Sequence, residues 1–218
     1  MRSTGIKVIA DNIGLLLDGL GNTLMIAIVA LLISMISGFG FGILRMSKNK
    51  VVKFFTDIYL EAFRIIPLMV WLFSFFFFLP RLLHINLPGE AVAILVFSMW
   101  GTAEMGDIVR GALESLSKGQ LEAGLSVGLS KIQLFFYIQL PQAIRRIIPG
   151  AISLATRMIK TTSLVVLIGV VDVIKRGQQI IERTKESFGI YAFLFLLFFI
   201  ICYPLSLLSK KLETMRVS

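Results

Sequence analysis

Residues 117–149 carry the stretch SKGQLEAGLSVGLSKIQLFFYIQLPQAIRRIIP, a polar and basic island between long apolar segments. Ser117 is followed three residues later by Gln120, and Ser130 is followed in the same way by Gln133. In a capping box with this spacing, the two side chains satisfy backbone amides at the start of a helix. The stretch is therefore predicted to form two short helices.

Two residues are predicted to limit these helices. Gly128 can take the left-handed conformation that ends a helix, so the first helix should stop there. Pro141 has no amide hydrogen for the interior of a helix, so the second helix should kink or end there. The helical pattern by itself is also compatible with an ordinary amphipathic connector.

The composition indicates a membrane protein. Of the 218 residues 56% are hydrophobic and the mean hydropathy is +0.87, and the apolar runs reach the ~20 residues that a helix needs to cross a bilayer. A formal net charge of +9 would suggest nucleic acid as the partner of a soluble protein. No basic stretch carries the interleaved aromatic residues that single-stranded nucleic acid requires, so no nucleic-acid partner is expected.

The predicted fold is an all-α membrane protein with five transmembrane helices. The chain divides into an amphipathic interfacial lead-in at 1–19, a five-helix domain at 20–208 and a cytoplasmic tail at 209–218. The spans are predicted at about 24–44, from 59 through the aromatic block 71–78, at 91–113, at 148–173 and at 188–208. In the first span Ser34, Gly38 and Gly42 repeat at spacing four, and such a stripe of small residues lets two helices approach closely.

The distribution of positive charge assigns a direction to the chain. Loops at 45–53, 110–146 and 209–218 hold twelve Lys and Arg residues, and the loops on the other side hold seven. Cytoplasmic loops carry the excess of Lys and Arg. The N-terminus is therefore predicted outside, with the C-terminus and the loop 114–149 in the cytoplasm. The seven outer charges are Arg2, Lys7, Arg81, Lys175, Arg176, Arg183 and Lys185.

The cytoplasmic loop resembles the EAA loop of permease subunits of ATP-binding cassette importers. That pattern reads E-A-A, three residues, G, nine residues and I-x-L-P, and the spacing here agrees at every step, with Gly124 in place of alanine. In such importers the first helix of the loop sits in a groove of the ATPase. Gly124 and Gly128 are predicted to give the ATPase backbone close access, and Glu122 to offer it a carboxylate. The predicted ATPase-coupling residues are Glu122, Ala123, Gly124, Gly128, Leu140 and Pro141.

Five further stretches narrow the resemblance to permeases for polar amino acids. In chain order they are GLGNTL at 19–24, YLEAFR at 59–64, DIVRG at 107–111, KGQ at 118–120 and KTTSL at 160–164. Ile65 and Ile66 depart from the family, whose members usually have Gly-Thr at these positions. The resemblance covers nearly the whole chain and implies the transmembrane domain of a type I importer in a bacterial plasma membrane.

The resemblance also implies partners. Two cytoplasmic ATPase subunits, a second permease chain that is identical or similar, and an extracellular or periplasmic substrate-binding protein would assemble with this chain. ATP and Mg²⁺ would bind to the ATPase, because this sequence has no G-x-x-x-x-G-K-[ST] phosphate loop. No cofactor and no enzymatic activity are expected in the chain itself. Lone His84 has no Cys or carboxylate cluster nearby, so no metal site is predicted.

Two oppositely charged residues are predicted near the middle of the membrane. Glu104 lies in the third span and Arg157 in the fourth, and such charges must pair or face a polar cavity. One interpretation is a salt bridge that orders the bundle. The other is a zwitterion clamp, in which Arg157 binds the substrate carboxylate and Glu104 the ammonium group. Lys160 and Thr161 are assigned to the same substrate-binding set.

Two further pairs are predicted closer to the cytoplasm. Glu61 and Arg64 lie three residues apart on one helix face, as do Asp107 and Arg110. Residues at this spacing can form ion pairs. A structural or gating role is favoured for both pairs over contact with substrate.

The sequence favours two other classes of protein less than an importer. A stand-alone channel or secondary carrier would use Glu104 and Arg157 as a relay, but it leaves the EAA-like loop without a purpose and the sequence shows no internal repeat. A membrane enzyme would need a Ser/His/Asp set or a paired-carboxylate site, and the predicted spans contain neither. Within the importer interpretation, arginine, glutamine, glutamate and cystine all remain open as substrates.

Overall fold

A computed structural model describes residues 5–217, and its regular elements are all helical. Residues 1–4, which include Arg2 and the start of the predicted lead-in, and Ser218 at the end of the predicted tail lie outside it. The helices are α1 (Gly5–Asp11), α2 (Ile13–Arg45), α3 (Lys50–Ile65), α4 (Leu68–Phe73), α5 (Leu79–Leu83), α6 (Gly89–Glu114), α7 (Lys118–Ser126), α8 (Lys131–Gln133), α9 (Leu140–Thr161), α10 (Val173–Thr184) and α11 (Ser187–Val217). Turns of π-helix at Ser74–Phe78 and Leu134–Gln139 and a 3₁₀-helix at Thr162–Ile168 connect some of them.

Four helical stretches of the described chain are long and apolar enough to cross a membrane, and a bent pair makes a fifth. The four are Ile13–Arg45, Gly89–Glu114, Lys131–Ile168 and Ser187–Thr214, and the bent pair is Lys50–Ile65 with Leu68–Leu82. The predicted all-α membrane fold is thereby confirmed. The direction of the chain across the membrane stays a prediction.

The sequence predicted the second span as one continuous segment. In the structure its two halves are bent by 103° relative to each other. Pro67 causes the break. Its ring disfavours helical geometry in the residue before it, and Ile66 is extended, with φ −81° and ψ 125°. The apolar block that follows therefore starts a new helix in a new direction.

The fourth span is longer than predicted and begins earlier. α8, the π-helical turn, α9 and the 3₁₀-helix form one stretch of 38 residues from Lys131 to Ile168. Pro141 does not end it, because the proline lies in the first turn of α9, directly after the π-helical turn that alters the backbone hydrogen bonding. At about 1.5 Å per residue the stretch is about 57 Å long, nearly twice the ~30 Å of the hydrocarbon core.

The start of the first span differs from expectation, and the segment between the fourth and fifth predicted spans is helical. α2 begins at Ile13 and not near residue 24, so residues 13–19 of the predicted lead-in belong to the same helix as the span. The link after the fourth span is largely the helix α10. Val8 of α1 packs in one buried cluster with Ile180 of α10 and Ile190 of α11, which attaches the N-terminal segment to the bundle.

The bundle is centred on a close contact between α2 and α6. A methyl group added to Gly38 would lie 2.5 Å from Cβ of Met105, and one added to Gly42 would lie 2.7 Å from the carbonyl oxygen of Gly106. Real carbon atoms cannot approach so closely, so the stripe of small residues allows this packing. Phe97 and Met158 complete the core that α6 and α9 share.

Candidate functional site

The loop that resembles the EAA loop folds as a compact pair of helices. Gln142 donates a hydrogen bond to Oε1 of Gln120 over 3.0 Å, which joins the start of α9 to α7. Arg146 donates two bonds of 2.6 Å to the carbonyl and the hydroxyl oxygen of Ser115, and Ser115 caps the end of α6. α7 and residues 131–142 therefore form one unit, called here the loop unit, beyond the end of α6.

The two predicted capping boxes have different outcomes. At Ser130 the box is present, since its hydroxyl accepts from the amide of Gln133 over 3.3 Å and its amide donates to Oε1 of Gln133 over 2.9 Å. At Ser117 the prediction is wrong, because the side chain makes no capping bond. The oxygen of Gln120 that a capping box requires instead accepts from Gln142.

The two glycines of the loop unit have separate roles. Gly128 has φ +84°, a conformation that favours glycine, and it ends the first helix as predicted. Gly124 is buried, and a methyl group added there would lie 2.5 Å from Leu134. This glycine therefore admits a helix of its own chain, and the expected open access for a partner at Gly124 is wrong.

The outer surface of the loop unit combines polar and apolar side chains. Glu122 and Ala123 are exposed, as is Pro141, whereas Leu140 is half-buried. Large apolar side chains are exposed beside them, among them Val127 at 77%, Ile132 at 71% and Tyr137 at 75%. Exposed apolar side chains are typical of an interaction site where they lie outside the hydrocarbon.

The two charges in the middle of the bundle form an ion pair. Nη2 of Arg157 lies 2.7 Å from Oε2 of Glu104, with side-chain exposures of 46% and 20%. The guanidinium group also lies over the ring of Trp100, 5.9 Å from its centroid, within the range of a cation–π contact. The pair is thus present, and its arginine is open on one side.

Lys160 and Thr161 are placed differently from this pair. The hydroxyl group of Thr161 donates to the carbonyl oxygen of Arg157 over 2.8 Å, one turn earlier in α9. Lys160 lines a separate, largely apolar groove of about 470 Å³ between α9, α10 and α11, together with Tyr191, Phe195 and Cys202. The structure therefore brings Glu104 and Arg157 together and directs Lys160 elsewhere.

A cluster of five charged residues joins the ends of α2, α3 and α6. Oδ1 of Asp107 lies 2.5 Å from Nη1 of Arg45, and its Oδ2 lies 2.6 Å from Nη2 of Arg64. Arg45 also contacts Asp57 over 3.2 Å, and Arg64 contacts Glu61 over 3.8 Å. The predicted Glu61–Arg64 contact is therefore present as the longest of the set.

The predicted pair of Asp107 with Arg110 is wrong. Both oxygens of Asp107 are taken by guanidinium groups from neighbouring helices, and Arg110 contacts Glu114 over 3.2 Å. The sequence interpretation missed Arg45, which it counted as a loop charge. Arg45 follows Gly42 by three residues and so continues the stripe that faces α6.

A second buried polar contact joins α2 to the start of α10. Asn22 donates to the carbonyl oxygen of Val171 over 3.0 Å, and Thr23 accepts from the amide of Val173 over 3.2 Å. Asp172 caps α10 by accepting from the amide of Lys175 over 2.8 Å. Asp172 is fully buried, and burial raises the pKa of its carboxyl group to about 6.

These features define a class of protein. A helical membrane bundle holds an ion pair between two spans, and a two-helix unit with an exposed apolar surface extends from one end. This arrangement is compatible with a membrane-spanning transport subunit that contacts a partner through the two-helix unit. Residues 30–214 match the family described as the inner membrane component of binding-protein-dependent transport systems, and the chain belongs to this family.

Curated relatives agree with this assignment. A probable glutamine ABC transporter permease of Bacillus subtilis is 34% identical over 93% of this chain and 94% of its own length. A glutamate/aspartate import permease of Escherichia coli is 31% identical over 94% and 95%. An L-cystine transport system permease of B. subtilis is 31% identical over 91% and 85%.

Solved structures share the fold. An amino acid ABC transporter crystallised with histidines matches 99% of this chain and 100% of its own chain with a TM-score of 0.88 and 24% identity. A methionine ABC transporter in an inward-facing conformation matches 93% and 98% with a TM-score of 0.74 and 16% identity.

The predicted class is therefore confirmed. The chain is the permease subunit of an ATP-binding cassette importer, a multi-pass protein of the bacterial plasma membrane. Such a subunit works with ATPase subunits, which hydrolyse ATP, with a permease partner and with a substrate-binding protein. The alternative of a stand-alone channel or carrier finds no support.

Proposed function

We propose that this permease imports a polar amino acid, which passes the Glu104–Arg157 pair on its way through the membrane. The observation that carries the proposal is the 2.7 Å ion pair with a half-exposed arginine. An amino acid carries one carboxylate and one ammonium group. Its carboxylate can take the place of Glu104 beside Arg157, and its ammonium group can take the place of Arg157 beside Glu104. Relatives of this permease are named for glutamine, glutamate/aspartate and cystine.

The exposure of the two side chains supports the clamp. An ion pair within a membrane bundle is costly unless it is satisfied, and the direct contact satisfies it when no substrate is bound. Arg157 presents a planar fork that suits a carboxylate. Glu104 accepts hydrogen bonds from an ammonium group. Trp100 beside Arg157 provides an apolar surface for the substrate side chain.

Lys160 and Thr161 stay in the proposal with narrower roles. Thr161 bonds to the carbonyl oxygen of Arg157 and so supports the backbone that carries the guanidinium group. Lys160 is exposed in its groove, where its ammonium group attracts an anionic substrate that moves along α9. Its replacement should affect acidic substrates most.

The loop unit is the proposed contact with the ATPase. Glu122 and Ala123 are exposed on α7 and meet the groove of the ATPase. Gly128 sets the turn between the two helices, and Gly124 holds them together. Leu140 and Pro141 start the helix that carries movement of the unit into the fourth span.

The complex is proposed to contain two ATPase subunits, each with its own ATP and Mg²⁺, and a second permease chain that is identical or similar. This chain binds no cofactor in the proposal. Because α2 begins at Ile13, the interfacial lead-in of the proposal ends at residue 12, the permease domain runs to residue 208, and residues 209–218 are a cytoplasmic tail. A binding protein delivers the amino acid at the outer face.

The experiment measures ATP hydrolysis by the permease co-expressed with its ATPase in nanodiscs, with binding protein loaded with each amino acid in turn. Glu104→Gln and Arg157→Gln should each raise, about tenfold or more, the concentration of loaded binding protein that gives half-maximal stimulation of ATP hydrolysis. Each substitution removes a charge-assisted hydrogen bond to the substrate. Glu90→Gln, at the start of α6, is the control.

The double variant separates the clamp from a purely structural pair. Removing one partner leaves a charge without its counterpart, whereas removing both restores stability. If the double variant recovers both thermal stability and normal stimulation, the pair is structural and the clamp is wrong. If it recovers stability alone, the pair binds substrate.

A further inference from the structure

The five-residue charge cluster joins a rigid part of the molecule to a part that is less firmly attached. α2 and α6 pack at glycine distance over several turns, with Gly38 and Gly42 facing Met105 and Gly106. Such close-packed interfaces do not slide without large steric cost. Arg45 on α2 and Asp107 on α6 therefore keep their relative positions.

α3 is the less firmly attached part. Three of its sixteen residues are buried, namely Thr56, Leu60 and Phe63. Its chain continues into α4 through the 103° bend at Pro67. A helix with few buried contacts and a break at one end is an element that can move as a rigid body.

The charges divide in the same way. Arg45 with Asp107 is a contact within the rigid pair of helices. Asp57 with Arg45 and Arg64 with Asp107 are the two ion pairs between α3 and those helices, at 3.2 Å and 2.6 Å. Tyr59 of α3 also donates a hydrogen bond of 2.8 Å to the carbonyl oxygen of Met99 in α6, and release of α3 has to break this bond as well. Glu61 lies on α3 itself, 3.8 Å from Arg64, as a second partner that travels with the arginine.

We propose that the two contacts of α3 open and close during transport and that Arg45 is the positioning residue that makes this possible. The side chain of Arg45 is 5% exposed, and a buried charge cannot be left without a partner. When α3 moves away, Arg45 keeps Asp107, Arg64 transfers to Glu61, and half-exposed Asp57 is solvated by water. No charge is left buried and unpaired in either state.

Partner exchange has a consequence that a static cluster does not share. Asp57→Asn removes a contact of the held state alone, so it should favour release. Glu61→Gln removes the partner of Arg64 in the released state, so it should favour the held state. A static role would instead make both substitutions weaken the same arrangement. Opposite effects of two neutralised carboxylates on one helix are therefore the signature.

The experiment measures a distance between spin labels by double electron–electron resonance in the complete transporter complex. Labels are placed on Val51→Cys in α3, which is 62% exposed, and on Gly111→Cys in α6, where an added side chain meets open space. Native Cys202 is replaced by serine. Spectra are recorded without nucleotide and after trapping with ATP and vanadate.

The parent should show two distances whose populations change between these conditions. Asp57→Asn should raise the population of the longer distance without nucleotide about two- to fivefold, the effect of one half-exposed ion pair. Glu61→Gln should lower that population in the trapped state by a similar factor. Glu213→Gln, outside the cluster, should change neither.

Two results would overturn the proposal. One is a single distance that does not change between the two conditions, and the other is a shift in the same direction by Asp57→Asn and Glu61→Gln. If Asp57→Asn does not fold, Asp57→Gln removes the same contact of the held state and should also favour release. A distance change without stimulation by any amino acid would contradict the clamp and leave the partner exchange standing.

Discussion

Asp172 is a carboxylate that the fold holds away from water at the start of α10. One of its oxygens caps the helix, and the other, Oδ2, is buried without a hydrogen-bond partner in the described chain. Burial disfavours the charged form, which accounts for a pKa raised from 3.8 to about 6. The residue therefore reduces stability at neutral pH while it sets the beginning of the helix.

This position predicts a pH-dependent effect of Asp172→Asn. Between about pH 4 and 6 Asp172 binds a proton in the folded chain but not in the unfolded chain, so its unfavourable effect on stability decreases as the pH falls from 7.5 towards 5. Asparagine also caps helices and carries no charge at any pH. The variant should be more stable than the parent at pH 7.5, by on the order of 1–3 kcal/mol, and the difference should shrink by pH 5.

Thermal unfolding of both chains in nanodiscs at pH 7.5 and pH 5 measures this difference. Glu182→Gln, an exposed carboxylate on the same helix, is the control for loss of a charge on α10. A difference that is the same at both pH values, or a variant less stable at pH 7.5, would contradict the assignment.

At the same scale, the sequence identified the charged residues that form ion pairs more accurately than it identified their partners. Glu104 and Arg157 were paired correctly, because both are predicted near the middle of the membrane, where opposite charges must pair or face a polar cavity. Asp107 was paired wrongly, because spacing along one helix identifies Arg110 but cannot show that Arg45 approaches from another helix. Partner choice depends on how helices pack, which hydropathy does not encode.

At the scale of elements, the loop unit depends on a turn that only glycine adopts without strain. Gly128 has φ +84° and open space around it. Substitution by alanine therefore causes no collision and alters the backbone preference alone. Gly111 of α6 also has open space around it, but in ordinary helical geometry.

The pair Gly128→Ala and Gly111→Ala tests the turn. Gly128→Ala should destabilise the loop unit by about 1 kcal/mol or more, and hydrogen exchange of residues 118–133 should become faster. The stimulation of ATP hydrolysis by loaded binding protein should fall. Gly111→Ala should leave exchange and stimulation unchanged, since alanine suits a helix better than glycine. Equal effects of the two substitutions would show that the turn is not required.

Elements were predicted well where their pattern is local. The apolar lengths of α6 and α11 and the glycine stop at Gly128 follow from composition and backbone preference. The bend at Pro67 was available as a signal, but its angle depends on the packing of α4 against α6. Pro141 was expected to kink or end a helix, and the helix continues past it, directly after a π-helical turn that no residue type specifies.

At the scale of the whole molecule, the long fourth helix connects the loop unit to α10. The loop unit lies at the start of the stretch Lys131–Ile168, and α10 follows its end. About 57 Å of helix joins the loop unit to α10, more than the ~30 Å of the hydrocarbon core, so a fourth helix that crosses the bilayer puts them on opposite sides. Five spans follow from hydropathy, whereas the direction follows from charge, and the two arguments are independent.

The direction of the chain predicts opposite labelling of two exposed positions. With Cys202 replaced by serine, Glu182→Cys on α10 should react with a membrane-impermeant maleimide on intact cells. Ser126→Cys on α7 should react only after the membrane is permeabilised, because the excess of Lys and Arg keeps that side in the cytoplasm. Since the fourth helix separates the two sites, the reverse pattern would place the loop unit outside, where no ATPase could reach it. That result would contradict both the orientation and the proposed coupling surface, whereas the predicted pattern leaves the loop unit as the surface through which ATP hydrolysis can drive the bundle.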